Sequence, residues 1–134
     1  MKIAVFDAKA YDRQFFETWN EKYGADLVFF EEKLSLNNVM LTKYMDAVSV
    51  FVNDDVNEKV IDILARNGVR VIALRSAGYN NVDLKSAQKN RIPVYRVPAY
   101  SPYAVAEHTL ALLMTLNRKT HKAYNRTREG NSRV

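Results

Sequence analysis

The amino-acid sequence predicts an α/β fold built on a parallel sheet, and three observations support this. Short runs dense in valine, isoleucine and phenylalanine recur along the chain. Segments with apolar residues at helical spacing lie between these runs. Glycine or a capping residue stands at the boundary of several of these segments. This alternation predicts a doubly wound, flavodoxin-like parallel sheet with right-handed crossovers.

Five apolar runs are the candidate strands. Most of them are continuous in apolar residues rather than strictly alternating, which is typical of parallel strands that are buried on both faces. They are KIAVFD at 2–7, DLVFFE at 26–31, AVSVFVN at 47–53, VRVIALR at 69–75 and IPVYRVP at 92–98.

Helical patterns connect these strands. Residues 11–24 carry three aromatic side chains at helical spacing, and residues 57–68 carry an aliphatic stripe that ends at Gly68, a C-terminal stop. Residues 33–43 have no clear period, and we expect a loop followed by a short helix there.

The last apolar segment differs from the others. Ser101 is a suitable N-cap, Pro102 suits the first helical turn, and residues 104–116 are apolar nearly all round. A surface helix would show a polar face, so we expect this helix to be buried against an element beyond the neighbouring sheet. The alternative is that it is the central helix of a single domain.

Length and composition exclude several classes of protein. The chain has 134 residues, the size of one domain, and no cysteine, so disulfides and thiol chemistry are excluded. No apolar run approaches the roughly 18 residues that a membrane span requires, and the N-terminus lacks the pattern of a secretory signal. We expect a cytoplasmic protein that does not cross a membrane.

The net charge of +5 resides in one segment. Residues 117–134 contain six basic residues and one acidic residue, whereas the remainder is neutral, with 14 of each. Such a tail could bind nucleic acid, but a solvated helix end explains it as well, because cations stabilise the C-terminal end of a helix dipole. We therefore expect no nucleic-acid partner.

Candidate ligand-binding residues follow the third, fourth and fifth strands, because ligands of open α/β sheets gather at the carboxyl ends of the strands. Phe51 follows the third strand. The loop SAGYNN at 76–81 follows the fourth, and its small residues would let backbone N–H groups around Gly78 surround an anion such as a carboxylate. An ordinary loop leading to a helix at Asp83 explains the same pattern, and both interpretations remain open.

Tyr100 follows the fifth strand. Pro98 and Pro102 restrict the backbone on either side of it, which fixes the direction of the phenol. A tyrosine held in this way could hydrogen-bond a ligand, or its hydroxyl could be satisfied locally.

Other catalytic patterns are absent from the sequence. It contains no G-x-G-x-x-G, no G-x-x-x-x-G-K-[ST] and no G-x-S-x-G, and no grouping of His, Asp and Glu has metal-ligand spacing. Glu107 and His108 are adjacent in a helical pattern, so their side chains do not face each other. We assign no catalytic residue and no metal site to this chain.

Several longer stretches carry a resemblance to a known family. Over essentially its whole length the chain resembles the N-terminal part of the NAD-dependent D-2-hydroxyacid dehydrogenases, in particular the fermentative D-lactate dehydrogenases of bacteria. The most specific stretches are FVNDD, ALRSAGYNNVDL, RVPAYSPYAVAEH and MTLNRKTHKAYNRTREGN.

The resemblance implies a two-domain enzyme. Residues 1–100 would form the substrate-binding domain, and residues 101–134 would form a long helix crossing into a Rossmann domain that holds NAD and is missing from this sequence. The fragment alone would then be inactive. The whole enzyme would reduce pyruvate to D-lactate and would be a homo-oligomer.

The resemblance also assigns roles to residues of this chain. The backbone amides of Ala77 and Gly78 would bind the carboxylate of a 2-oxo or 2-hydroxy acid, and Tyr100 would contact the substrate. Phe51, which stands where some relatives carry a tyrosine, would line the side-chain pocket, and Val105 would lie near the nicotinamide. The catalytic histidine, its glutamate partner and the substrate-clamping arginine of the family have no match here.

Two other classes share parts of this pattern. A phosphoacceptor receiver domain has the same predicted fold, with Asp7 and Asp54 near strand ends, but the chain lacks the clustered carboxylates and the lysine that a receiver requires. A freestanding small-carboxylate binding module would have to leave the apolar segment 104–116 exposed.

Overall fold

A computed structural model describes residues 1–131, and its centre is a sheet of five parallel strands in the order β2-β1-β3-β4-β5. The predicted α/β class and the flavodoxin-like strand order are confirmed. The strands are β1 (Lys2–Val5), β2 (Asp26–Phe29), β3 (Ala47–Val50), β4 (Val71–Leu74) and β5 (Val94–Tyr95).

Helices alternate with the strands, as the sequence predicts. The described part contains α1 (Ala10–Tyr23), α2 (Glu58–Arg66), α3 (Leu84–Lys89), α4 (Pro102–Arg118) and α5 (Thr120–Arg128). Helix α1 ends at Gly24, whose φ of 62° is the left-handed conformation that glycine adopts without cost. None of the helices in this part of the chain is long and apolar enough to span a bilayer.

The core lies between the sheet and α2. Residues of β1, β3 and β4 pair in parallel register, with Ile3 opposite Ala47 and Ala47 opposite Val71. The fully buried side chains with the largest volumes are aliphatic or aromatic, as continuous apolar strands require. They include Phe6, Leu34, Ile61, Leu64, Ile72, Val48 and Val50.

The segment between β2 and β3 forms a short helix after a loop, as the sequence predicts, and this helix is the single 3-10 turn Val39–Thr42. Asn38 limits its length, because its side chain accepts a hydrogen bond from the Ser35 N–H (2.8 Å) and donates one to the Lys33 carbonyl (2.8 Å). These local bonds compete with the backbone hydrogen bonds of a longer helix.

The edge strand β5 is the shortest strand of the sheet. It pairs with β4 through Val94 and Tyr95, and Pro93 precedes this pair. Within residues 1–131, no strand pairs with its other side.

The chain divides into two compact units, Met1–Pro98 and a second unit that starts at Ala99. The predicted roles of residues 1–100 and 101–134 stay predictions, and residues 132–134 lie outside the described residues. In the second unit, α4 and α5 are separated at Lys119, which has a left-handed φ of 53°. No glycine or proline marks this break in the sequence.

Helix α4 exposes its apolar residues. Ser101 and Thr115 are half-buried, and no residue of α4 is buried. Ser101 occupies the N-cap position, but its hydroxyl makes no capping hydrogen bond, so the expected side-chain cap is wrong. The expectation that α4 packs against a further element stays a prediction.

The two N-caps allow a matched test of local stability. The Asn57 side chain accepts a hydrogen bond from the Val60 N–H (3.1 Å) at the start of α2, whereas Ser101 makes no such bond. We expect Asn57→Ala to lower the free energy of unfolding by about 1 kcal/mol and Ser101→Ala to leave it unchanged within error. Urea denaturation followed by circular dichroism measures both, and equal effects would contradict the assignment of the caps.

Candidate active site at the carboxyl edge of the sheet

The candidate site lies next to the topological switch point of the sheet, between β1 and β3. Strands β1 and β3 are neighbours, and β2 lies on the far side of β1. At such a switch point the loops leave in opposite directions and open a crevice at the carboxyl ends of the strands. Phe51 directly follows β3, and the loop at residues 76–78 follows β4.

Arg75 joins the carboxyl ends of β1 and β3. Its Nη2 donates to the carbonyl oxygens of Phe6 (2.8 Å) and Asp7 (3.3 Å), and its Nη1 donates to the Ser49 carbonyl (3.2 Å). The Asp12 carboxylate lies 3.6 Å from Arg75 Nε and balances the charge. The Arg75 side chain is only 14% exposed, so these bonds form away from bulk water and hold the strand ends together.

Phe51 is held on both its backbone and its ring. The Asp54 Oδ2 accepts a hydrogen bond from the Phe51 N–H, and the Asn81 side chain donates to the Phe51 carbonyl at 2.9 Å. The Arg75 guanidinium carbon lies 5.6 Å from the centre of the ring, within cation–π distance. The half-buried ring therefore has a defined position beside the strand ends.

Asp54 is a buried carboxylate with both oxygens engaged. Besides the bond to Phe51, its Oδ1 accepts from the Leu34 N–H at 2.6 Å, so it links the segment after β2 to the segment after β3. Burial raises the pKa of the Asp54 carboxyl above its usual value, although the two N–H donors and Arg75 act in the opposite direction.

The loop after β4 presents two backbone amides without partners. The Ser76 hydroxyl donates to the Gly78 carbonyl at 2.8 Å and closes the loop. Within residues 1–131, the N–H groups of Ala77 and Gly78 have no hydrogen-bond acceptor. Ala77 is half-buried and Gly78 is exposed. Two adjacent free amides of this kind can bind an anion.

Gly78 does not adopt a backbone conformation that requires glycine. The glycines with a positive φ are Gly24, Gly68 and Gly130, and Gly78 is not among them. A Cβ built at Gly78 would meet no atom within 4 Å, so the space beside it is open. The glycine keeps this side of the loop free of a side chain.

Tyr100 and Val105 lie in the second unit and are described with it. Both line a shallow cavity of about 260 Å³ together with Ala99, Ser101 and Pro102. Tyr100 is 79% exposed, so its phenol is available to a ligand rather than satisfied inside a core. Val105 is exposed on the first turn of α4.

Asp7 and Asp54 do not have the free, accessible carboxylates that a receiver domain requires. Asp54 is 1% exposed and both its oxygens accept backbone N–H groups, so it offers no accessible nucleophile. The Asp7 carboxylate is paired with Lys9 at 2.8 Å, which raises the pKa of the Lys9 ammonium. No group of three or more His, Cys, Asp or Glu side chains in residues 1–131 could hold a metal ion.

Sequence reasoning missed two arginines that support this edge of the sheet. Arg75 joins the strand ends, and Arg96 contacts the loop at Ala77, where its Nη1 donates to the carbonyl at 3.0 Å. Each arginine stands in the C-terminal half of a candidate strand that is mostly apolar. A cation at that position is the signal that could have identified them.

Comparison with known protein families identifies the family to which this fold belongs. Residues 3–132 match the family of D-isomer specific 2-hydroxyacid dehydrogenases, in its catalytic domain. This match covers nearly the whole chain, so the chain belongs to that family and the resemblance seen in the sequence is confirmed.

Individual proteins that are similar to this chain are named as members of the same family or as D-lactate dehydrogenase. The chain is 55% identical over 131 residues to a 2-hydroxyacid dehydrogenase homolog of Haemophilus influenzae, covering 98% of this chain and 40% of that protein. It is similar to the apo-structure of D-lactate dehydrogenase from Escherichia coli, with a TM-score of 0.80 and 46% identity over 98% of this chain and 42% of that one.

A second similar structure was determined with its cofactor. It is the NAD-complexed form of the D-isomer specific 2-hydroxyacid dehydrogenase from Lactobacillus delbrueckii ssp. bulgaricus. The TM-score is 0.70 and the identity is 30%, over 95% of this chain and 39% of that one. The chain thus spans about 40% of the length of its relatives.

Asp54 gives a prediction for the pH dependence of stability. Because its folded pKa is raised above the unfolded value of about 4, the folded protein holds this proton at higher pH than the unfolded chain does. Its contribution to the free energy of unfolding is therefore largest below about pH 4 and decreases as pH rises through the folded pKa.

The matched variant is Asp54→Asn, which places an NH₂ group against one of the two N–H donors and should lower the free energy of unfolding by about 1–3 kcal/mol. We expect the advantage of the wild type over this variant to be larger at pH 4.5 than at pH 7, by urea denaturation at both pH values. An advantage that grows with pH would show that the folded pKa is lowered instead.

Proposed function

We propose that this chain provides the substrate-binding part of an NAD-dependent D-2-hydroxyacid dehydrogenase that interconverts pyruvate and D-lactate. The observation that carries the proposal is the pair of free amides at Ala77 and Gly78, at the carboxyl edge of a sheet of this family. Substrates of such an enzyme always carry a carboxylate, and two adjacent free N–H donors suit that group.

Each candidate residue has a role in the proposal. The Ala77 and Gly78 amides bind the substrate carboxylate. Phe51, with its ring fixed beside Arg75, lines the pocket for the substrate side chain, and the exposed phenol of Tyr100 contacts the substrate. Val105 lies near the nicotinamide. Held in this way, the substrate loses orientational freedom before it reacts.

NAD would be bound by residues outside this chain, apart from Val105. The sequence has no G-x-G-x-x-G and no other phosphate-binding loop, so its residues do not fit a dinucleotide. NADH supplies a hydride in such enzymes. We assign no proton transfer to the side chains described above, and this chain's part is to bind and orient the substrate. A homo-oligomeric state and a cytoplasmic location belong to the same proposal.

Enzyme assays test the proposal directly. We expect the protein expressed from its complete gene to oxidise NADH with pyruvate, giving D-lactate and not L-lactate, as measured by NADH absorbance and a stereospecific lactate assay. We expect the 134-residue chain by itself to show no turnover. Carboxylate binding without turnover by the complete gene product would favour a small-carboxylate binding module, and turnover by the isolated chain would contradict the assignment of roles.

Tyr100 has a matched control in Tyr103, which is equally exposed (79% and 80%) and lies in the same unit. We expect Tyr100→Phe to raise KM for pyruvate about fivefold to tenfold, the effect of losing one hydrogen bond worth about 1 kcal/mol. Tyr103→Phe should leave KM unchanged. Steady-state kinetics on the complete gene product decide this, and equal values for the two variants would exclude the contact between Tyr100 and the substrate.

A further inference from the structure

We propose that Arg96 is a positioning residue that fixes the Gly78 N–H in the direction in which it binds a carboxylate. The proposal rests on the function proposed above and extends it to a residue outside the loop. It concerns residues of the first unit alone, and it follows from the contacts of the Arg96 guanidinium.

Arg96 connects the loop after β4 to the segment that leaves β5. Its Nη1 lies 3.0 Å from the Ala77 carbonyl oxygen and 3.3 Å from the carbonyl oxygens of both Val97 and Pro98. Three backbone carbonyls therefore converge on one end of the guanidinium. A charged donor makes stronger bonds to such oxygens than a neutral one does.

Tyr79 holds the guanidinium from another direction. The guanidinium carbon of Arg96 lies 5.3 Å from the centre of the Tyr79 ring. Arg96 thus contacts the residue before Gly78 and the residue after it. Gly78 has no side chain of its own, so it is held by these two neighbours and by the Ser76 hydroxyl, which donates to its carbonyl.

Every carbonyl of residues 76–78 has a donor. The Ser76 carbonyl accepts from the Val97 N–H at 3.0 Å, the Ala77 carbonyl accepts from Arg96, and the Gly78 carbonyl accepts from the Ser76 hydroxyl at 2.8 Å. The Ala77 and Gly78 N–H groups have no acceptor in the described residues. The loop is therefore anchored by its oxygens and presents its nitrogens.

The planarity of the peptide bond connects these two facts. In a trans peptide the C=O of one residue and the N–H of the next lie in one plane and point in opposite directions. The bond from Arg96 to the Ala77 carbonyl therefore sets the direction of the Gly78 N–H, and the bond from the Val97 N–H to the Ser76 carbonyl sets that of the Ala77 N–H. Arg96 also polarises the peptide group between Ala77 and Gly78, which makes the Gly78 N–H a better donor.

Kinetics on the complete gene product provide the first test. We expect Arg96→Gln to raise KM for pyruvate about fivefold to tenfold with kcat changed less than about twofold, because the loop binds the carboxylate equally in the ground state and in the transition state. Arg96→Lys, which keeps the charge but not the fork of donors, should give an intermediate KM. Lys89→Gln, an exposed residue with the same charge change, is the control.

A second readout does not depend on activity. In ¹H–¹⁵N spectra of the 134-residue chain, Arg96→Gln should shift the Gly78 amide resonance more than that of Ala77, whose N–H is oriented through Val97. Loss of folding would instead change the resonances of the whole sheet.

The outcomes separate the two proposals. Absence of turnover by the wild-type gene product overturns the proposed function. Turnover by the wild type with equal KM values for Arg96→Gln and Lys89→Gln overturns the role of Arg96, and so does an unchanged Gly78 amide.

Discussion

The structure of the carboxyl edge depends on one guanidinium. Parallel strands end with carbonyl groups that the ladder no longer pairs, and at the centre of this sheet Arg75 donates to two of them, those of Phe6 and Asp7. It also donates to the Ser49 carbonyl, which accepts the Phe6 N–H as well. Replacing these bonds with water would require an open crevice inside the sheet, where Arg75 is now mostly buried. Arg75 begins the loop after β4 and also contacts the Phe51 ring. It therefore helps to position both this loop and Phe51, two parts of the candidate site.

Around this guanidinium, backbone groups rather than side chains form the proposed anion-binding part of the site. Asp54 and Asn81 bind the backbone on either side of Phe51, and the loop at residues 76–78 is tied down by its carbonyls. A site made of amides needs no particular side chain to touch the ligand. It needs side chains that fix peptide planes, and such side chains lie beside the ligand position rather than in it.

The sequence predicts the sheet well because its signals are local. Runs such as AVSV in β3 are buried on both faces, and a continuous apolar run is sufficient to identify a strand of this kind. The short helix expected within residues 33–43 forms at Val39–Thr42, as a 3-10 turn whose length depends on side-chain bonds of Asn38 that no periodicity expresses. The break at Lys119 was not predicted, because it carries no residue that favours a left-handed angle.

The candidate site was predictable in part for the same reason. The position of Ala77 and Gly78 after a strand suggested free amides, whereas the roles of Arg75 and Arg96 depend on contacts across the sheet. Arg75 binds carbonyls that precede it by 26 to 69 residues, and no local pattern encodes such a distance. Long-range hydrogen bonds of arginine are visible only once the strand order is known.

The short strand β5 has a consequence for the behaviour of the protein in concentrated solution. A free sheet edge can recruit a strand from another molecule, and recruitment strengthens with each additional backbone pair. Here the edge offers only Val94 and Tyr95, and Pro93 beside them lacks an N–H to donate. A strand of a second chain that added to β5 would therefore form too few backbone hydrogen bonds to stay bound.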